Sequence, residues 1–117
     1  MLPSPDETLE VTVAGLSALL TDASASPIRL VDCREEDEFA ICKIHGAILT
    51  PLSKFPDSAL PLLGDPDAPP VVVYCHHGMR SQHAALFLRD RGVKNAFSLA
   101  GGIDAWSQQI DPAVPRY

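Results

Sequence analysis

The residues of this chain best suited to chemistry stand in one run, Cys75-His76-His77-Gly78-Met79-Arg80-Ser81. An apolar strand-like stretch, Val71–Tyr74, precedes it and a helical pattern follows. A cysteine placed there gains from the start of a helix, whose dipole favours an anion by about 0.3–1 kcal/mol. The loop is able to turn several backbone N–H groups inward as an anion nest. Arg80 adds a permanent positive charge, and Gly78 allows a positive φ. Together these lower a thiol's pKa and make Cys75 a candidate nucleophile. The competing reading is a cysteine that merely ends a strand, buried and inert. Thiol, glycine, arginine and helix start falling in order favour the reactive one. His76, His77, Gly78, Met79, Arg80 and Ser81 then form the expected substrate-binding loop. The two histidine rings either contact an anionic donor and shuttle protons, or face solvent while only their N–H groups serve the loop. The second reading is favoured.

Asp32 and Arg34 end an apolar stretch and are expected near the same site. A catalytic acid or base is one reading; an ion pair that braces the loop is preferred. Cys33 and Cys42 are candidates to resolve an oxidised Cys75, although Cys33 reads as a packed core thiol. Cys42-x-x-His45 with Cys75-His76-His77 offers zinc ligands, but without the paired spacing of structural sites, so no metal is expected. Trp106 reads as a core anchor, and the acidic run 35–38 as a helix start with a solvated face.

These residues need elements to hold them. Thr12 caps an expected helix over 13–22, and a strand follows at 28–33. A short helix is expected over 35–41 with Phe39 turned inward, then a short strand within 45–49. A proline-limited helix is expected over 55–63. After Val71–Tyr74 comes a helix over 80–91, closed by Gly92, with Ala84, Ala85, Phe87 and Leu88 on the sheet. A strand at 96–99 and a helix from Gly101-Gly102 through Trp106 complete the pattern. Strands alternating with helices predict an α/β fold, an open and mostly parallel sheet covered on both faces. The 117 residues suit a single domain over 9–117, with 1–8 as a flexible tail. A net charge of −6 disfavours nucleic acid and anionic membrane as partners. Three cysteines and no basic, apolar leader lead to an expectation of free thiols and a cytoplasmic location.

The loop resembles the Cys-x-x-Gly-x-Arg-Ser segment of rhodanese-like sulfurtransferases. Asp32-Cys33-Arg34-Glu35 with Glu38-Phe39 is similar to that family's Asp-x-Arg…Glu-(Phe/Tyr) segment. Lys43-Ile44-His45-Gly46-Ala47 resembles its His-Ile-x-Gly-Ala segment, with the histidine moved next to the glycine. Gly101-Gly102 with Trp106 resembles its closing signature. The resemblance implies a rhodanese-like fold and a sulfur cycle on Cys75. Sulfane sulfur arrives from thiosulfate or a protein donor, rests as a persulfide, and leaves to cyanide, a thiol or a protein, with no cofactor. The ending, residues 110–117, is similar to rhodanese domains fused behind adenylating enzymes, which implies a sulfur-carrier protein or adenylating enzyme as partner. Related phosphatases place five residues between cysteine and arginine; four lie between Cys75 and Arg80. The smaller loop suits one sulfur atom better than a phosphate. A dedicated protein-to-protein relay and a non-catalytic binding module are the alternatives.

Overall fold

Three four-residue stretches and two two-residue segments pair side by side, and the helices between them cover both faces. The computed structural model describes residues 2–117. In chain order the elements are β1 (Glu10–Val11), α1 (Val13–Thr21), β2 (Arg29–Asp32), α2 (Glu36–Ile41), β3 (Ile48–Leu49), β4 (Val71–Tyr74), α3 (Met79–Asp90), β5 (Ala96–Leu99) and α4 (Gly102–Gln109). The sheet order is β1-β5-β4-β2-β3, and every pairing is parallel. β4 lies at the centre with all four residues buried. Burial on both faces is why its sequence is a continuous apolar run rather than an alternating one.

Alternation along the strands divides the interior into two cores. Leu30, Val72, Phe97 and Leu99 pack with Leu16 of α1 and with Ile103 and Trp106 of α4. Val31, Val71, Val73 and Ala96 pack on the opposite face with Ala84, Ala85 and Leu88 of α3. Cys33 and Cys75, one residue beyond β2 and β4, belong to this second face. A fully buried leucine such as Leu16 or Leu88 contributes about 1.5–3 kcal/mol. Such burial is what stabilises helices too short to persist alone in water.

The ends follow local chemistry. The Thr12 hydroxyl accepts from the Gly15 N–H at 2.9 Å and caps α1. Gly92, at φ +94°, turns the chain out of α3. Residues 55–63 do not form the expected helix. Two 3-10 segments, Leu52–Lys54 and Asp57–Leu62, stand there instead, because Pro56 and Pro61 supply no N–H for an α-helical ladder. β1 was too short to show a period. It is recruited by its neighbour, the Ser98 and Ala100 N–H groups each donating at 2.8 Å to Leu9 and Val11. Phe39 is only half-buried, and the Lys43 ammonium lies 4.7 Å from its ring centre. Before β1, Arg89 donates to the Pro5 and Thr8 carbonyls at 3.0 Å each, and Leu2 packs on the α1 and α4 core. No helix of the described residues is long and apolar enough to cross a membrane.

Gly102 marks where two segments meet most closely. It has φ +61°, and a Cβ there would lie 2.4 Å from the His76 carbonyl oxygen and 2.6 Å from that of Cys75. Gly46 also has a positive φ, +87°, but open space around it. Gly46→Ala should therefore cost only the backbone strain, about 1 kcal/mol. Gly102→Ala should cost well over ~2 kcal/mol and lower the thermal midpoint by roughly 10 °C or more. Equal melting temperatures for the two variants would contradict this placement.

Candidate active site

The carboxyl end of β4 delivers Cys75 into a loop whose backbone is turned inside out. The Cys75 and His76 carbonyls point away from the sulfur and accept from the N–H groups of Ile103 and Asp104, at 2.9 and 3.1 Å, in the first turn of α4. Two N–H groups further along the loop meet the sulfur itself. Gly78 donates to Cys75 Sγ at 3.0 Å and Ser81 at 3.3 Å, and Ser81 Oγ lies 3.5 Å away. Gly78 makes the turn at φ +111°, in the left-handed region that favours glycine. Ser81 Oγ is itself held by Ser98 Oγ at 2.7 Å and the Gly78 carbonyl at 3.1 Å. Cys33 approaches the same sulfur from the end of β2.

These donors decide the charge of Cys75. The Cys33 thiol, then the Ser81 hydroxyl and the Ser81 and Gly78 N–H groups, push its pKa down to about 5, against the opposing effect of burial. Cys33 moves the other way: its contact with Cys75, then burial, drive its pKa up and keep it a thiol. The contacts thus favour the thiolate form of Cys75 and the neutral thiol form of Cys33.

Arg80 does not act as the bare positive charge expected from its place in the loop. Its guanidinium is turned to Glu38, bidentate at 2.6 and 2.9 Å. Arg80 holds Glu38 down to about 2, and the pair ties α3 to α2 across the loop. Asp32 and Arg34 come together as a fully buried ion pair at 2.7 Å. They are not at the Cys75 sulfur, because Asp32 falls on the opposite side of β2 from Cys33. Burial opposes the charge of Arg34, but Asp32 and then the Tyr117 hydroxyl favour it and raise its pKa. Arg34 donates to Tyr117 Oη at 2.8 Å, and that hydroxyl donates to Glu38 at 2.7 Å. The chain Asp32, Arg34, Tyr117, Glu38, Arg80 thus runs from the sheet to the loop.

The two histidines differ. His77 faces solvent, its side chain 67% exposed. His76 does not: its ring stacks on Tyr117 at 3.9 Å and on His77 at 4.0 Å between centroids, and burial lowers its pKa. Met79 is 74% exposed at the rim. The zinc set drawn from Cys42, His45 and Cys75 is not assembled, because Cys42 packs in the opposite core from Cys75 and His45 is exposed. Among the described residues the potential metal ligands that do converge are His76, His77 and Asp104, within 4.8 Å of one another; Asp104 is already engaged by Arg116 at 2.9 Å. Ser98 had no sequence signal of its own, and the α4 amides were signalled only by the Gly-Gly pair.

Residues 12–109 match the Rhodanese-like domain family. The chain is 40% identical over 98 residues to "Adenylyltransferase and sulfurtransferase MOCS3" of Drosophila sechellia, covering 80% of this chain and 22% of that protein. It is 39% identical over 88 residues to "Thiosulfate sulfurtransferase GlpE" of Haemophilus influenzae, covering 75% and 81%. It spans 21–30% of the length of six curated relatives, the Drosophila sechellia protein among them. Among solved structures, a rhodanese-like domain protein from Staphylococcus aureus superposes with a TM-score of 0.76 at 25% identity, over 94% of this chain and 99% of that one.

A thiolate held this way has a clear pH signature. Alkylation of Cys75 by iodoacetamide should be level through neutral pH and fall only as pH drops through about 5, where the sulfur takes up a proton. Cys33→Ala and Ser81→Ala each remove a donor to the anion. Each should move the inflection upward by roughly 1–2 units, the equivalent of one hydrogen bond to a charged group. An inflection that stays put in both variants, or one near 9 in the wild type, would contradict the assignment.

Proposed function

The chain belongs to the rhodanese-like domain family, and on that premise we propose that it is a sulfurtransferase carrying sulfane sulfur as a persulfide on Cys75. The observation that carries the reading is the convergence of the Gly78 and Ser81 N–H groups on the Cys75 sulfur. The Cys75 thiolate attacks the outer sulfur of thiosulfate. A Cys75–S bond forms, the sulfur–sulfur bond of thiosulfate breaks, and sulfite leaves with the electron pair. The negative charge moves to the outer sulfur of the persulfide. The N–H groups of His76, His77, Met79 and Arg80 have no protein acceptor among the described residues and are suited to receive it. A nucleophile such as cyanide or a thiolate then attacks the outer sulfur, and Cys75 leaves as the thiolate that began the cycle. Each step is a displacement at sulfur in which a nucleophile attacks and a sulfur anion leaves, so no metal or organic cofactor is needed. His76, His77, Gly78, Met79, Arg80 and Ser81 shape the pocket, while Asp32 and Arg34 act at a distance as bracing.

A second reading keeps the chemistry and changes the acceptor. Several relatives are named as joint adenylyltransferases and sulfurtransferases, and the exposed Met79 offers an apolar contact at the rim. In that reading a sulfur-carrier protein, activated by an adenylating enzyme, takes the persulfide sulfur, and small acceptors turn over slowly.

Incubation with thiosulfate followed by intact mass spectrometry is expected to show a gain of one sulfur atom. Cyanide should remove it, and Cys75→Ser should never acquire it. A sulfur gain retained in Cys75→Ser would overturn the assignment, and no gain from either thiosulfate or a persulfide-loaded cysteine desulfurase would favour a binding module.

A further inference from the structure

Two of the three cysteines are cross-strand neighbours. Asp32 and Tyr74 are register partners in the parallel β2–β4 pair, and the Cys33 N–H donates to the Tyr74 carbonyl at 3.1 Å. The pairing thus continues one residue past both strands and sets Cys33 beside Cys75. Neighbouring strands lie about 4.8 Å apart, within the ~4.4–6.8 Å between Cα atoms that a disulfide spans. Alternation puts both side chains on the α3 face, where both pack with Val31 and Val73. Both are buried, at 0% and 1% exposure. Cys42 lies in the other core beside Arg34, so the sheet separates it from Cys75. The contact between the two thiols already shapes both: it is the largest influence on each, lowering one pKa and raising the other.

We propose that Cys33 is the resolving thiol of Cys75, and that the pair closes into a disulfide when a hydroperoxide oxidises Cys75. This rests on the reading of Cys75 as a reactive thiolate. The thiolate attacks a peroxide oxygen, the O–O bond breaks, hydroxide or alkoxide leaves, and Cys75 becomes a sulfenic acid. Oxidation removes the negative charge on Cys75 that kept Cys33 protonated. The Cys33 sulfur attacks Cys75 Sγ, its proton passes to the departing oxygen, the S–O bond breaks, and water leaves as the S–S bond forms. Two thiols have then lost two electrons to one hydroperoxide. An external dithiol reverses the step by exchange. The disulfide stops sulfur transfer and spares Cys75 from irreversible sulfinic acid.

The test is to treat the reduced protein with hydrogen peroxide, block remaining thiols with N-ethylmaleimide in denaturant, and map peptides by mass. The expected result is a Cys33–Cys75 linked peptide, two hydrogens lighter, formed equally in Cys42→Ser and lost on addition of dithiothreitol. Cys33→Ala, or Cys33→Ser should the first fold poorly, should accumulate Cys75 sulfinic acid about tenfold faster than wild type. A wild type that overoxidises as fast as these variants, or that links Cys75 to Cys42, would overturn the proposal. Thiosulfate loading separates the two readings. A protein that takes up sulfur yet forms no linked peptide loses only the resolving role, and one whose Cys75 reacts with neither reagent loses both.

Discussion

A buried sulfur anion is costly unless donors converge on it, and the Cys75 sulfur is met by amide and hydroxyl dipoles rather than by a salt bridge. In a trans peptide the N–H and C=O point opposite ways, so a peptide unit that turns its N–H inward must face its carbonyl outward and find a partner for it. The first turn of α4 supplies such partners, through Ile103 and Asp104. The approach leaves no room for a side chain at Gly102, and the turn at Gly78 requires a left-handed backbone. Gly78 before α3 and Gly102 at the start of α4 thus serve one sulfur atom. β4 and β5 bring their loops side by side at the carboxyl edge of the sheet, where open parallel sheets place their ligands.

The charged residues around this loop pair with one another rather than with the Cys75 sulfur. Arg80 and Glu38 neutralise one another while joining α3 to α2, and Tyr117 extends the join to the buried Arg34–Asp32 pair. A buried ion pair contributes little net stability by itself but enforces a single geometry for the groups it touches. The same tyrosine stacks on His76, so the C-terminal segment shapes the loop from outside. An acidic protein is thereby able to accommodate an anionic sulfur without a strongly basic pocket.

Much of this was legible in the residues. The apolar run of β4, the cysteine directly after it and the glycine three positions on located the loop, because strand burial and left-handed turns leave strong local marks. The alternation of strands and helices was enough for a parallel sheet covered on both faces. What failed to show depends on contacts distant in sequence. The direction of the Arg80 side chain depends on Glu38, the ring of His76 on Tyr117, and the hydroxyl of Ser81 on Ser98. Cys33 read as a packed thiol, with a resolving role as the alternative, because it follows an apolar strand; it is packed, and the register with β4 is what puts it beside Cys75. The helix expected over 55–63 gave way to 3-10 turns because two prolines outweighed the apolar spacing.

The central claim is that the loop stabilises a thiolate on Cys75, and the most direct measurement is an ultraviolet thiolate-absorbance titration of the reduced protein against Cys75→Ser. The account requires a difference of one thiolate that is already complete at neutral pH and disappears only as pH falls through about 5. A difference that emerges only as pH rises toward 9, the ordinary value for a cysteine thiol, would contradict it.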